Sequence, residues 1–188
     1  NVYGSTDNSS WVSMGTYSGT GQTYVSFTKA APSLAIGDSF FGGEIAYLYR
    51  NGCGFVAATS DHSSPIRWHN GANTTTGGTE TAIGTGLANT NAIISSQGGV
   101  AGSYAAGICA DYSVTDGGVT YDDWYLPSED ELNQLYINRA EIGGFASNCF
   151  WSCTESSITQ AWLQHLNEGY KYPHSKATPW YVRAVRTF

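Results

Sequence analysis

The period of apolar positions changes several times along this chain, and the changes mark out its elements. WVSMGTY (11–17) and TYVSFT (23–28) alternate in β fashion around the turn-prone SGTGQ (18–22), which predicts a hairpin. AAPS (30–33) reads as a linker, and a new unit opens near Ile36. EIAYLY (44–49) and GFVAA (54–58) give two strands around a tight RNGCG turn. Residues 60–85 are polar and rich in Gly and Thr, and read as loop with Trp68 as an anchor. Two helices are predicted next, GLANTNAIISSQ (86–97) and AGSYAAGICADYS (101–113). In the second, Ala105, Ile108, Cys109 and Tyr112 fall at helical spacing, which puts Cys109 inside as a small hydrophobe.

The strongest local signal is DDWYLPSEDELNQLY (122–136). Pro127 ends a strand, Ser128 is an N-cap, and Glu131 three residues later completes a capping box ahead of the apolar Leu132, Leu135 and Tyr136. Glu129, Asp130 and Glu131 occupy the first turn, where carboxylates offset the helix dipole, so capping explains this acidic cluster without Ca²⁺. β-like runs return in CFWSCTE (149–155), AWLQHL (161–166) and YVRAVRTF (181–188). Two helices between strand-like ends predict an α+β domain over 34–188 in which first and last strands pair, preceded by a short β segment over 1–33.

Composition narrows the function. Only 12% of the 188 residues are charged, about half the usual share, so the surface must be built from Ser, Thr, Asn, Gly and Tyr, as on extracellular or virion proteins. A net charge of -7 with eight Lys and Arg supplies no basic stripe for phosphates and excludes a nucleic-acid binder. No apolar run approaches the roughly 20 residues that span a bilayer, so membrane insertion is not expected. The chain opens on Asn1 without a signal-peptide pattern and is read as a fragment or processed product. Cys53, Cys109, Cys149 and Cys153 are too few for a disulfide framework. Cys149 and Cys153 lie four apart, as two thiols or one local disulfide; no CxxC pair or HxH completes a zinc site, and no metal or cofactor is expected.

Past Asn148 the words FWSCTE (150–155), AW (161–162) and YVRAVR (181–186) frame SSITQ (156–160), LQHLNEG (163–169) and YKYPHSKATPW (170–180), which carry neither helical nor strand period. These segments are crowded with Tyr, Trp, His, Ser, Thr and Pro. Catalysis needs a few residue types at fixed spacing, whereas recognition needs rigid amphipathic groups, which Tyr and Trp provide at low entropy cost. The pattern therefore points to binding and away from an enzyme. Trp124, Trp151 and Trp162, inside the framing words, are expected in the core, and Arg183 and Arg186 are expected to pair with Glu155 or Asp123. Tyr170, Tyr172 and Trp180 are expected at the recognition surface, joined by His165 and His174.

IGDSFFGGEIAYLY, DWYLPSEDELNQLY, FWSCTES, AW and YVRAVR follow, in order, the pattern of the DUF1566 family, known also from the C-terminal domain of the Legionella collagen-like adhesin. The resemblance spans 34–188 and implies a fold similar to C-type lectins, an extracellular, cell-surface or virion-tail location, a protein or glycan receptor on a cell surface, and a homotrimer. The EPN, QPD and WND words of Ca²⁺-dependent lectins are absent.

The family includes targets of diversity-generating retroelements, whose reverse transcriptase rewrites adenines near the end of the gene; 148–180 resembles such a variable region. Cys149, Ile158, Leu163, His165, Tyr170, Tyr172, Pro173, His174, Ala177 and Thr178 are all reachable from an AAY codon, and Cys153 from an AGY codon. Gln160, Glu168, Lys171 and Trp180 are not reachable from AAY. With Ser156, Gln160, Ser175 and Trp180 added, the first eleven of these make up the expected ligand-binding face. A formylglycine-generating-type enzyme shares the broad fold and uses two cysteines, but Cys149 and Cys153 fall where this family more often has Tyr and Ser.

Overall fold

The computed structural model describes residues 11–19, 22–29, 33–50, 52–62, 65–98 and 102–188, the first two stretches by backbone alone. The centre of the SGTGQ turn, most of the AAPS linker, Asn51 in the RNGCG turn and the start of the 101–113 helix lie outside these residues. The chain divides into two compact units, Asn1–Leu34 and Ala35–Phe188. In the first, β1 (Trp11–Gly19) and β2 (Gln22–Lys29) pair antiparallel from Trp11↔Lys29 to Gly19↔Gln22.

The second unit holds two main antiparallel sheets. One contains β3 (Ser39–Phe40), β4 (Gly43–Leu48), β5 (Gly54–Ala57) and β11 (Val185–Thr187) in the order β11-β5-β4-β3. The other contains β8 (Cys149–Glu155), β9 (Gln160–His165) and β10 (Lys171–Ser175) in the order β10-β9-β8. A small hairpin, β6 (Val114–Asp116) with β7 (Val119–Tyr121), accompanies them. The helices are α1 (Gly86–Gln97), α2 (Ala105–Ala110), α3 (Glu129–Ile137) and α4 (Arg139–Ile142). The fold is α+β.

Burial explains which strands are central. All four residues of β5 and all seven of β8 are buried. Such strands read as continuous apolar or small-residue runs because both faces are covered. Helix α3 packs on β4, β8 and β9 and so bridges the two sheets. Its Leu132 and Leu135 join Ala46, Phe55, Ala57, Tyr125, Phe150, Leu166 and Val185 in one core. The capping box forms as the sequence predicts: Ser128 Oγ accepts from Glu131 N at 3.3 Å, and Glu131 Oε2 accepts from Ser128 N at 2.8 Å. Glu131 is fully buried, and its other oxygen accepts from Gly84 N at 2.8 Å, tying the approach to α1 onto the start of α3. Gly86 is required at that junction, since a Cβ there would lie 2.2 Å from Glu131 Oε2.

Four expectations are corrected. The last strand pairs with β5, not with the first strand of the domain, because β5 is buried along its length and its backbone groups need partners on both edges, β4 on one and β11 on the other. Only Val185–Thr187 of 181–188 is a strand: Tyr181 bridges Phe150 in one sheet while Val185 pairs with Ala57 in the other, so the intervening residues cross between sheets. The second helix is shorter than 101–113, starting after the extended Tyr104. Trp124 and Trp151 are buried as expected, but Trp162 is only half-buried.

The bridging role of α3 sets a stability expectation. Leu132→Ala should destabilise the domain by about 2–5 kcal/mol through the cavity it leaves between the sheets. Ser128→Ala should cost about 0.5–2 kcal/mol through the lost cap. Denaturant unfolding of both variants against the parent measures this, and a Leu132→Ala midpoint equal to that of the parent would exclude the arrangement.

Candidate recognition surface

The register of the β8–β9–β10 sheet sorts its side chains. Leu163 stands opposite Trp151 on β8 and Tyr172 on β10, His165 opposite Cys149, and Ala161 opposite His174. Since side chains alternate across a strand, these residues share one face, with Tyr170 two positions before Tyr172. Trp151 and Cys149 are buried there, and Leu163 is buried beneath the β10 side chains. Tyr172 reaches across β9, its hydroxyl 3.6 Å from Cys149 Sγ. This contact, with burial, pushes the Tyr172 phenol up to about 12.

Above that floor runs a row of rings. His165 lies 5.0 Å from Tyr170, Tyr170 is stacked 5.6 Å from Tyr172, Tyr172 is 5.9 Å from His174, and His174 is 5.5 Å from Trp180. Trp180 Nε1 donates to His174 Nδ1 at 3.5 Å. Backbone hydrogen bonds in both directions between Ile66 and Trp180, at 2.8 and 3.0 Å, fix that end of the row. Tyr170 is 46% exposed; His165, Tyr172, Pro173, His174 and Trp180 are half-buried.

A second group lies at the end of the sheet. Ser156, Ile158, Gln160, Ser175 and Ala177 are exposed and Thr178 is half-buried. The pairing Ser175↔Gln160 and the bond from Lys176 N to Thr159 O at 3.0 Å bring the two loops together beside His174. Three residues expected on the ligand-binding face are instead interior. Cys149 is 3% exposed, Cys153 0% and Leu163 1%. Cys149 and Cys153 belong to the fully buried β8, and Leu163 sits under Tyr172. Neither Cys149 nor Cys153 is in a disulfide, and burial pushes both thiols up, so both stay protonated at neutral pH. Among the described residues, no three His, Cys, Asp or Glu side chains come together as metal ligands.

Two buried cations hold the loops; sequence reasoning missed Lys176 and, for Arg183, anticipated a structural ion pair but not its partner. Lys176, fully buried within an irregular segment, donates from Nζ to Glu155 Oε1 at 2.6 Å and to the carbonyls of Thr74 and Ile158 at 3.2 Å, and lies 4.3 Å over the Trp68 ring. The other Glu155 oxygen accepts from Thr76 N and Oγ1 at 2.8 Å each. Burial works against the Glu155 carboxylate, but the hydrogen bonds from Lys176 and Thr76 outweigh it and hold the group below the usual carboxylate range. Glu155 therefore pairs with Lys176 and not with an arginine. Arg186 pairs with Asp123, as expected, while fully buried Arg183 pairs with Asp61 at 2.8 Å, donates to Ala58 O at 2.6 Å and stacks on Phe145. No motif announced Asp61.

A family model, the Lcl C-terminal domain, matches residues 57–186, a shorter span than the 34–188 expected from the motifs. The chain belongs to the Lcl C-terminal domain family. That match runs from the end of β5 into β11 and takes in the whole β8–β9–β10 sheet. A search of curated proteins found no significant match. At the family level, Lcl membership supports a surface-exposed, adhesin-like domain. Among the described residues, no helix is long and apolar enough to cross a membrane.

The Arg183 anchor carries a pH dependence. His62 packs on Tyr112 with ring centroids 4.1 Å apart, accepts from Ala184 N at Nδ1, and has a buried Nε2 without a partner. Burial, then the Arg183 charge, lower its pKa to about 4. A histidine held below its unfolded value near 6.5 gives stability that is complete above that value and is lost as pH falls toward the folded one. Lowering the pH from about 7 to 4.5 should thus remove roughly 1–3 kcal/mol that His62→Asn does not lose. Urea unfolding of both proteins across that range isolates the His62 contribution, and parallel pH profiles would refute it.

Proposed function

We propose that this domain is a non-catalytic ligand-binding module of a receptor or adhesin, on a bacterial surface or a virion tail, which engages a cell-surface receptor. The observation that carries this reading is the continuous row His165, Tyr170, Tyr172, His174 and Trp180, partly open to solvent above a buried floor. Tyr and Trp are the usual anchors of binding surfaces, and rings held by a rigid sheet lose little entropy on binding. The buried, protonated thiols of Cys149 and Cys153 offer no exposed nucleophile and favour binding over thiol catalysis.

We further propose that the fold is C-type-lectin-like and that the gene segment encoding 148–180 is diversified by a retroelement. Ile158, Ala177 and Tyr170 are exposed, and His165, Tyr172, Pro173, His174 and Thr178 are half-buried, which suits positions where side chains change while the scaffold stays. Cys149 and Leu163 would then be positions where variation alters the floor and not the contact, and Cys153, whose thiol donates to Gly86 O, one where it alters the packing on α1. An adenine-richer, near-identical copy of this coding segment beside the gene is the expected genomic signature, and a complete locus without one would reject diversification. Homotrimeric display would raise avidity, since a shared scaffold gives an effective concentration in the mM range.

The recognition reading separates two kinds of substitution. Tyr170→Ala should leave stability within about 0.5 kcal/mol, as for an exposed site. Tyr172→Ala, which uncovers Leu163 and Cys149, should cost about 1–2 kcal/mol. Both should weaken binding to receptor-bearing cells. Thermal unfolding and cell binding measured on the same variants decide it: full cell binding by both would show that the row is not the recognition face.

A further inference from the structure

The proposed face carries almost no charge, although the chain as a whole has a net charge of -7. From Ser156 to Trp180 the Asp, Glu, Lys and Arg residues are Glu168, Lys171 and Lys176. Lys176 is fully buried and paired with Glu155. Lys171 pairs with Glu129 at 2.9 Å, and its register opposite Gln164 puts it on the sheet face turned away from the rings. Glu168 sits in the turn at one end of the row, and exposed Arg67 follows Ile66 at the other. Between these margins the surface offers phenol hydroxyls, imidazoles, an indole, the Gln160 amide and the hydroxyls of Ser156, Ser157, Thr159 and Ser175.

We infer that the ligand of this face is an uncharged saccharide, a conclusion that rests on the recognition reading above. Sugar rings present C–H faces that pack on aromatic rings and hydroxyls that both donate and accept hydrogen bonds. A row of Tyr, His and Trp flanked by Ser, Thr and Gln answers both needs, since each ring has an apolar body and a polar edge. Neighbouring rings are spaced 5.0–5.9 Å apart, about the length of one sugar unit, so a linear oligosaccharide can lie along the row. A sulfated or sialylated glycan would meet no free cation within the face, and the acidic chain would repel it. A protein partner is less well matched, because its own surface charges would be desolvated against a face whose charges, Glu168 beside Tyr170 and Arg67 beyond Ile66, lie only at its two ends.

The experiment uses the 188-residue chain on an array of unsubstituted neutral, sulfated and sialylated oligosaccharides, with calorimetric titration of the glycans that bind. Neutral oligosaccharides should bind with a Kd that changes less than about threefold between about 0.1 and 1 M NaCl, where the Debye length falls from about 10 to 3 Å. Tyr170→Ala and Trp180→Ala should each weaken that binding by about tenfold or more, and Lys171→Ala and Arg67→Ala by less than about threefold. Unchanged unfolding temperatures confirm that the variants fold, and Tyr170 is exposed enough to serve if Trp180→Ala does not. Preference for sulfated or sialylated glycans with steep salt dependence would overturn the inference, as would an array blank for every class. A purified receptor protein bound by the parent and lost in Tyr170→Ala, with a blank array, would overturn the saccharide and leave the recognition face standing. Glycan binding untouched by both ring variants would overturn the face itself.

Discussion

The ion pair between Lys176 and Glu155 is the constraint on which the recognition end of this domain depends. A buried ammonium is tolerated only when its charge is paired and its protons are placed, and removing one partner of such a pair typically costs about 3–5 kcal/mol. Here Lys176 meets a carboxylate, two carbonyls and the face of Trp68, while Glu155 also takes the donors of Thr76. The groups it joins come from the loop at 74–77, the end of β8, the turn at 156–159 and the segment after β10. An apolar plug of equal volume would leave the Thr74 and Ile158 carbonyls without these partners. The polar solution fixes three loops relative to one another, a matter of specificity more than of net stability.

On that frame the sheet separates scaffold from surface. Strand β8 is buried throughout, β9 is buried at Ala161, Leu163 and Gln164, and β10 lies at the edge with half-buried rings. An edge strand is ordinarily open to pairing with another chain; Pro173, which has no N–H, blunts this one. The rings serve the fold and the surface at once: Tyr172 covers Leu163 and Cys149 while part of it stays open to solvent.

The local elements were the most legible in the sequence. Ser128 with Glu131, the 86–97 helix and the 44–49 and 54–58 strands follow from capping chemistry and period, which act within a few residues. Strand β10 was not legible, because Pro173 interrupts it and its partner β9 supplies the pairing from across the 166–170 turn. Long-range partners were legible only in part. Asp123 for Arg186 was anticipated, but Glu155 had no visible claim on Lys176, since their meeting depends on the turn at 156–159. Codon-based reasoning marked Cys149, Cys153 and Leu163 as surface; it carries no information about which way a strand faces.

The most direct test of a loop frame held by one buried pair is native-state hydrogen exchange on Lys176→Met. The account predicts that amides in 74–78, 156–160 and 174–180 lose protection together while those of α3, β4 and β5 keep theirs. Unchanged protection in the three loops, or a uniform loss across the whole domain, would contradict it.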